Sequence, residues 1–335
     1  MRELPSKSPP LGSIGIIMMD SSIIKLGLVG ARGYVGAELV SLISQHPIFK
    51  LKFASSRALE GQKLGDHFDG YFDNMIFENL SPAEVATKDI DIFILALPNN
   101  LSGPFIEEIE KFSPQSTIID LSGDNRFRDD WTYGLPELNR INLLSATRVS
   151  NPGCYATGMQ VGLAPLKKFI TGTPHCFGVS GYSGAGTTPS RKNDLKALEN
   201  NLMPYAQTGH LHEKEVSHYL GRPVYFLPHV SSHFRGISLT LSLELNEPLS
   251  REAIISKFKN QYEAEPLIEV IGDIPEVKDI QNQHGIYIGG FSLDESGTHL
   301  VINVVIDNLL KGAATQAIQN MNLVSDLDEF EGLFN

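Results

Sequence analysis

From Ser22 onward, short apolar runs alternate with segments whose apolar residues recur at helical spacing. IIKLGLV is followed by a helical AELVSLISQ, then by FKLKFASS, and later by DIDIFILAL and STIIDLS. Strand and helix in alternation predict a parallel sheet with helices on both faces. Beyond about Asn151 the runs lengthen and alternate more strictly, as in VYFLPHV, GISLTLSLEL and THLVINVVI, with glycine-rich loops between them. That pattern predicts strands buried on one side, hence an α+β unit built on a mostly antiparallel sheet. The C-terminal GAATQAIQNMNLV has helical periodicity and is expected to pack back on the first unit. The expected fold class is therefore α/β plus α+β. Residues 22–153 joined by 312–335 form one unit, residues 154–311 form the other, and residues 1–21 are a poorly ordered leader.

Composition narrows the function classes. With 335 residues, 41% of them hydrophobic, the chain is long enough for two cores. No apolar run approaches a bilayer span, and the first twenty residues have neither a signal peptide's apolar core nor a transit peptide's arginine-rich amphipathicity. Two cysteines make no disulfide framework, and ten histidines without Cys-x-x-Cys companions suggest no metal site. A reducing compartment, the cytoplasm, is expected. The net charge of −12, with no basic stripe, argues against a nucleic-acid surface but leaves room for a small anion to bind locally.

IIKLGLVGARGYVGAELVSLI runs from a strand into a helix through Gly30, Gly33 and Gly36. Glycines at such a turn let the backbone approach a pyrophosphate, and the helix start offers free N–H groups. The spacing is G-x-x-G-x-x-G, not the commoner G-x-G-x-x-G, and a tight strand-to-helix turn would also explain it. Arg32, Tyr34 and Val35 complete the turn as cofactor-contact candidates. About twenty residues later, where an NAD enzyme carries an acid for the ribose, this chain has Ser55, Ser56 and Arg57. A guanidinium without a nearby carboxylate favours the 2′-phosphate of NADP.

VSNPGCYATG places Cys154 after Pro152 and Gly153, at the expected start of a helix whose apolar stripe includes Met159, Leu163 and Leu166. Free N–H groups and the helix dipole there would stabilise a thiolate or an oxyanion. A lone cysteine is also a common small core residue, the role expected of Cys176. A thiolate near a nicotinamide suggests thioester formation followed by reduction to an aldehyde, which needs a proton shuttle. HLHEKEVSHYLG supplies a candidate. His212 and Glu215 are three apart on one helical face, so the carboxylate could orient the imidazole, although an acidic, solvated helix start has the same look. Gly221 is the expected C-cap, and His229 and His233 are expected to be structural.

GLVGARGYVGAELV, ALPNN, DLSGDNRF, SNPGCYATG, SGYSGAGT, HLHEKEV, LPHVSSHFRGI and DNLLKGAATQAIQN resemble, in order and spacing, the N-acetyl-gamma-glutamyl-phosphate reductases of arginine biosynthesis. The resemblance runs from Lys25 almost to the end, with several segments closest to the reductase part of the fungal kinase-reductase, although the chain has no room for a kinase. It implies a Rossmann-type NADP-binding domain, an α+β catalytic and dimerisation domain, and homodimers or homotetramers coupled in function to acetylglutamate kinase. It implies Cys154 as nucleophile and His212 as general acid/base, reducing N-acetyl-L-glutamyl 5-phosphate. His210 and Glu215 would support the substrate and the imidazole. Pro98, Ser183, Gly184, Gly186 and Asn308 would contact the cofactor, and Ser122 and Arg126 would lie near substrate or be structural. Ala156, Leu211 and Arg32 depart from the commoner bacterial pattern. Leu211 replaces a usual arginine, so the substrate's anionic groups need another cation, with Arg235, Arg191 and Lys192 available. Two alternatives stay open: a related dehydrogenase acting on aspartyl or aminoadipyl phosphate, and a non-catalytic NADP-binding regulator.

Overall fold

The structure, a computed structural model, describes residues 23–68 and 74–334. The leader expected over residues 1–21 lies outside them. The first unit runs β1 (Ile24–Val29), α1 (Tyr34–Gln45), β2 (Phe49–Ser55), β3 (Phe77–Glu78), α2 (Pro82–Ala86), β4 (Ile92–Leu95), α3 (Gly103–Phe112), β5 (Thr117–Asp120), β6 (Thr132–Tyr133), α4 (Pro136–Leu143) and β7 (Arg148–Ser150). Every strand pair in it is parallel, in the order β3-β2-β1-β4-β5-β7-β6. Strands such as β4, IFIL, are buried on both faces because helices cover both sides, which is why they read as continuous apolar runs. In α1 the buried positions Gly36, Leu39, Val40 and Ile43 repeat at helical spacing and face that sheet. The strand order reverses between β1 and β4, and the crevice beyond their C-terminal ends is the expected ligand position of such a sheet.

The second unit contains α5 (Cys154–Leu163), β8 (Ile170–Gly181), α6 (Leu195–Leu198), β9 (Met203–Pro204), α7 (Leu211–Leu220), β10 (Tyr225–Ser231), β11 (Ile237–Leu245), α8 (Arg251–Tyr262), β12 (Ile268–Val270), α9 (Val277–Ile280), β13 (Ile286–Leu293) and β14 (His299–Ile306). Its sheet has the order β12-β13-β14-β11-β8-β10-β9. The β12–β13 and β8–β10 pairs are parallel and the other four antiparallel. Alternating burial along β11 shows one covered face. α5 lies on that face, and it is buried nearly all round, where the sequence suggested a single apolar stripe. Leu166 belongs to the 3₁₀ turn that follows, not to the helix. Gly162 permits the close seat, since a Cβ there would come within 2.9 Å of Val304 and overlap Leu241.

After β14 a π-turn over Leu310–Ala314 leads into α10 (Thr315–Val324). Ala317, Ile318 and Met321 of α10 join the core of the first unit with Leu26, Leu39 and Ile119. The polar face of α10 is buried as well: Gln316 and Asn320 both donate to the Gly134 carbonyl, and Asn320 also donates to Asn151 Oδ1. No helix among the described residues is long and apolar enough to cross a membrane.

Candidate active site

The glycine turn is fastened to the end of β2. Gly30 N–H and Ala31 N–H donate to the Ser55 carbonyl at 3.0 and 3.2 Å. Gly30 has φ +90° and would collide with the Ala96 carbonyl if it carried a Cβ, and a Cβ on Gly36 would stand 2.5 Å from the Ala31 carbonyl oxygen. Both are therefore required by the chain's own packing. Gly33 is different, because the nearest atom to an added Cβ is 4.0 Å away, so its bare backbone serves no internal contact. It precedes α1 with no side-chain cap and no acid in the first turn, leaving the helix N–H groups and dipole free for an anion.

Around this turn the expected contact residues divide. Ser55 and Ser56 are buried at the β2–β3 edge, where Ser55 Oγ accepts from Leu80 N–H and Ser56 N–H donates to the Glu78 carbonyl. Arg32, Arg57 and Pro98 are exposed, and Arg57 makes no ion pair among the described residues. The carboxylate nearest by strand register, Glu78, is already paired with Lys88 at 2.7 Å. Tyr34 meets Phe234 of the second unit edge-on with ring centres 5.2 Å apart, and Val35 packs on the first core. A free helix start, an unexplained glycine and two uncommitted guanidinium groups fit a phosphorylated dinucleotide.

Cys154 begins α5 after an extended Gly153. The approach is held by residues distant in sequence. Asn151 N–H donates to the Asp120 carbonyl, and Gly153 N–H donates to Glu215 Oε1 at 2.9 Å. Arg126 donates from Nε to the Asn151 carbonyl, from Nη1 to Glu215 Oε2 and from Nη2 to the Leu121 carbonyl. Tyr133 OH also donates to Glu215 Oε1 and receives Gln160 Nε2–H in turn. A Cβ on Gly153 would overlap His212 Nε2 and come 2.7 Å from Arg126 Nη1. Imidazole and guanidinium thus both press against the residue before the thiol.

The resting electrostatics differ from the expected thiolate. Burial pushes the Cys154 thiol up to about 11, against the opposing pull of the Tyr155 N–H and the Arg126 charge. Burial first, then Arg126 and His210, hold His212 well below the usual imidazole range, and its Nδ1 is buried without a hydrogen-bond partner among the described residues. Desolvation outweighs the helix terminus, so a neutral thiol stands beside a neutral imidazole.

Several expected roles change with the geometry. Glu215 does not bond to the imidazole; its oxygens reach across to Gly153, Tyr133 and Arg126, because the wholly buried carboxylate needs donors that His212 does not supply. His210 caps α7, its Nδ1 accepting His212 N–H at 3.1 Å, and burial followed by the Lys192 charge lowers it to about 4. Arg235 is spent on an interdomain clamp, with Nε and Nη2 on Asp307 and Nη1 on Glu38, so it offers no uncommitted charge to a substrate. Ser122 Oγ donates to the buried Asp120. Leu211, standing where a cation was missed, packs against Gly123. Lys192 instead lies over the Tyr205 ring at 4.8 Å, near His210, whereas Arg191 is exposed.

Among the residues of the second unit expected to meet the cofactor, Asn308 is buried, donating from Nδ2 to Ser183 Oγ at 2.9 Å and accepting Gly236 N–H on Oδ1 at 2.7 Å. Gly184 adjoins this pair, and Gly186, at φ +73°, borders open space. Sequence reasoning missed Tyr133, Gln160, Glu137 and Lys311. For Lys311 a signal existed: it is one charge inside the small, apolar NLLKGAATQAI. Among the described residues no group of acids, histidines and cysteines could hold a metal ion.

A family model for the semialdehyde dehydrogenase NAD-binding domain matches residues 25–146, and one for the semialdehyde dehydrogenase dimerisation domain matches residues 154–308. An N-acetyl-gamma-glutamyl-phosphate reductase from Xanthomonas euvesicatoria pv. vesicatoria is 52% identical over 304 residues, covering 91% of this chain and 96% of the relative. Another from Stenotrophomonas maltophilia is 50% identical over 315 residues, covering 94% and 99%. Among solved structures, aspartate semialdehyde dehydrogenase II from Vibrio cholerae matches with a TM-score of 0.74 at 19% identity, over 91% of this chain and 99% of its own. The Candida albicans aspartate semialdehyde dehydrogenase with NADP has a TM-score of 0.72 at 16% identity, over 90% and 98%. At those identities the likeness to solved structures speaks for the fold.

Proposed function

This chain belongs to the semialdehyde dehydrogenase family and, within it, to the N-acetyl-gamma-glutamyl-phosphate reductases, and we propose that it reduces N-acetyl-L-glutamyl 5-phosphate to N-acetyl-L-glutamate 5-semialdehyde and phosphate, using NADPH, in arginine biosynthesis. The observation that carries this is the juxtaposition at the head of α5: a half-buried thiol, a neutral imidazole pressed on Gly153 with its Nδ1 unpartnered among the described residues, and Arg126 beside both.

Cys154 Sγ attacks the acyl carbon while its proton passes to His212. The Sγ–C bond forms, the bond from carbon to the phosphate oxygen breaks, and phosphate leaves with that proton. The Arg126 charge favours the sulfur anion but disfavours a protonated imidazole, so it stabilises the nucleophile while keeping the proton's stay on His212 brief and its passage to the leaving phosphate downhill. N–H groups at the start of α5 are suited to the oxyanion that develops on the carbonyl oxygen. Reduced nicotinamide held by the glycine turn and the Asn308 wall would supply the hydride for the thioester carbon, leaving a hemithioacetal oxyanion on Cys154. When the carbonyl re-forms, Sγ is expelled and regains a proton from solvent through His212.

Lys192, with His210 beside it, is the cation for the substrate's anionic groups, while Arg126, held by Glu215, fixes the approach to Cys154 with Ser122 on the same loop. Gly30, Gly33, Gly36 and the start of α1 bind pyrophosphate, Arg57 with Arg32 prefers the 2′-phosphate of NADP, and Ser183, Gly184, Gly186, Pro98 and Asn308 form the remaining cofactor wall. The enzyme works in the cytoplasm as a homodimer or homotetramer and receives its acyl phosphate from acetylglutamate kinase. Following NADPH oxidation with N-acetylglutamyl, aspartyl and aminoadipyl phosphates tests the substrate. Turnover with only the first is expected, preference for either of the others would reassign it, and stoichiometric NADPH binding without turnover would make the protein a regulator.

A further inference from the structure

The π-turn Leu310–Ala314 touches both halves of the site. Gly312 N–H donates to the Asp307 carbonyl and Ala314 N–H to the Leu309 carbonyl, each spanning five residues at 2.9 Å. Such turns insert an extra residue into a helix and recur at functional sites. At its entrance Asn308 holds Ser183 and Gly236. Further along, a Cβ added to Gly312 would stand 2.7 Å from Cys154 Cβ, and the Ala313 carbonyl accepts from Asn151 Nδ2 at 3.3 Å. The backbone of this turn is therefore one wall of the Asn151–Cys154 approach.

Lys311 fixes the middle of the turn. Its side chain and that of Glu137 in α4 are both wholly buried, with Nζ 2.6 Å from Glu137 Oε1. Nζ also donates to Gln319 Oε1 at 2.7 Å, and Gln319 donates to Glu329. The Lys311–Glu137 contact is charge against charge without a well-directed hydrogen bond, and neither Glu137 oxygen has a hydrogen-bond partner among the described residues. Burying an ion pair on such terms is a poor route to stability, and apolar replacements of similar volume are often as stable or more so. What the pair does accomplish is to pin a turn at the junction of the two units, against the first unit's α4.

We propose that Lys311 and Glu137 are positioning residues for the reaction: their buried pair sets the π-turn, and the turn sets Cys154 relative to Asn308 and the bound cofactor. This rests on Cys154 being the nucleophile. The test compares full-length wild type, Cys154→Ser, the apolar pair Lys311→Met with Glu137→Leu, and Gly312→Ala, which keeps the ion pair but pushes a methyl at Cys154. Loss of turnover in Cys154→Ser secures the premise separately, and its survival would remove the premise without bearing on the turn.

For the apolar pair a thermal midpoint equal to or above wild type is expected, together with kcat lowered about ten-fold or more, since misplacement of a reacting group is costly. KM for NADPH should stay within about two-fold, because the turn leaves the pyrophosphate site untouched. The rate of Cys154 alkylation by iodoacetamide should change with kcat. Gly312→Ala should show the same split between kcat and KM. A folded apolar pair with wild-type kcat and alkylation rate overturns the proposal. If the apolar pair does not fold, wild-type kcat and alkylation in Gly312→Ala overturn it instead.

Discussion

The dinucleotide turn and the cysteine centre are built on opposite plans. The turn is local: β1, three glycines, α1 and the end of β2 lie within residues 24–57, and two hydrogen bonds to the Ser55 carbonyl hold them together. The cysteine centre is assembled from far apart, with Arg126, Tyr133, Gly153, His212 and Glu215 converging from four stretches of chain. Where the geometry is local, spacing along the sequence nearly determines it. Where it is not, the sequence names participants without saying whom each will touch.

Substitutions can separate the two regions. The largest effect is expected for Cys154→Ser, which should lower kcat about ten-thousand-fold or more, the scale on which loss of a nucleophile acts. NADPH affinity, measured by fluorescence titration, should be nearly unchanged, and a parallel loss of binding would show that the regions are not independent. His212→Asn should lower kcat about a hundred- to ten-thousand-fold, the range of a general acid/base, and should alter the pH-rate profile. A profile identical to wild type would remove His212 from proton transfer. Arg57→Asp should act on the other region alone, cutting the preference for NADPH over NADH about ten- to hundred-fold through loss of a charge-assisted contact. Equal selectivity in the two proteins would leave the 2′-phosphate to another group.

The smallest effect is on stability against pH, and its sign follows from the two perturbed groups. The fold holds His212 neutral, so the stabilisation is complete above its ordinary value of 6.5 and is lost as pH falls below it. It also holds Cys154 as a thiol, which stabilises below 9.0 and is lost as pH rises towards about 11. Thermal midpoints of the cofactor-free protein should therefore be highest between these limits. The acid decline should be shallower in His212→Asn, and an unchanged acid limb would mean that other groups govern it.

Much of the architecture was legible because its signals are periodic. Buried-run strands marked the parallel sheet, alternation marked β11, and Gly221 closes α7 in the left-handed conformation that a glycine C-cap predicts. Cys154 at the head of α5 was legible for the same local reason. Glu215 was misread because three-residue spacing on a helix puts it near His212 in projection, whereas burial turns it towards Gly153 and Arg126. The partners of Arg235 were not legible because nothing in its neighbourhood announces Glu38, 197 residues away. The thiol's resting state was hidden too, since the dipole that favours a thiolate is visible in sequence but the desolvation that defeats it is not.

The most direct measurement is mass spectrometry of the acid-quenched protein after mixing with N-acetylglutamyl phosphate in the absence of NADPH. An N-acetylglutamyl adduct on the peptide bearing Cys154, discharged to semialdehyde when NADPH is added, is the predicted result. Semialdehyde formed at the normal rate with no adduct at any quench time, and with Cys154 alkylated at no cost to turnover, would contradict it.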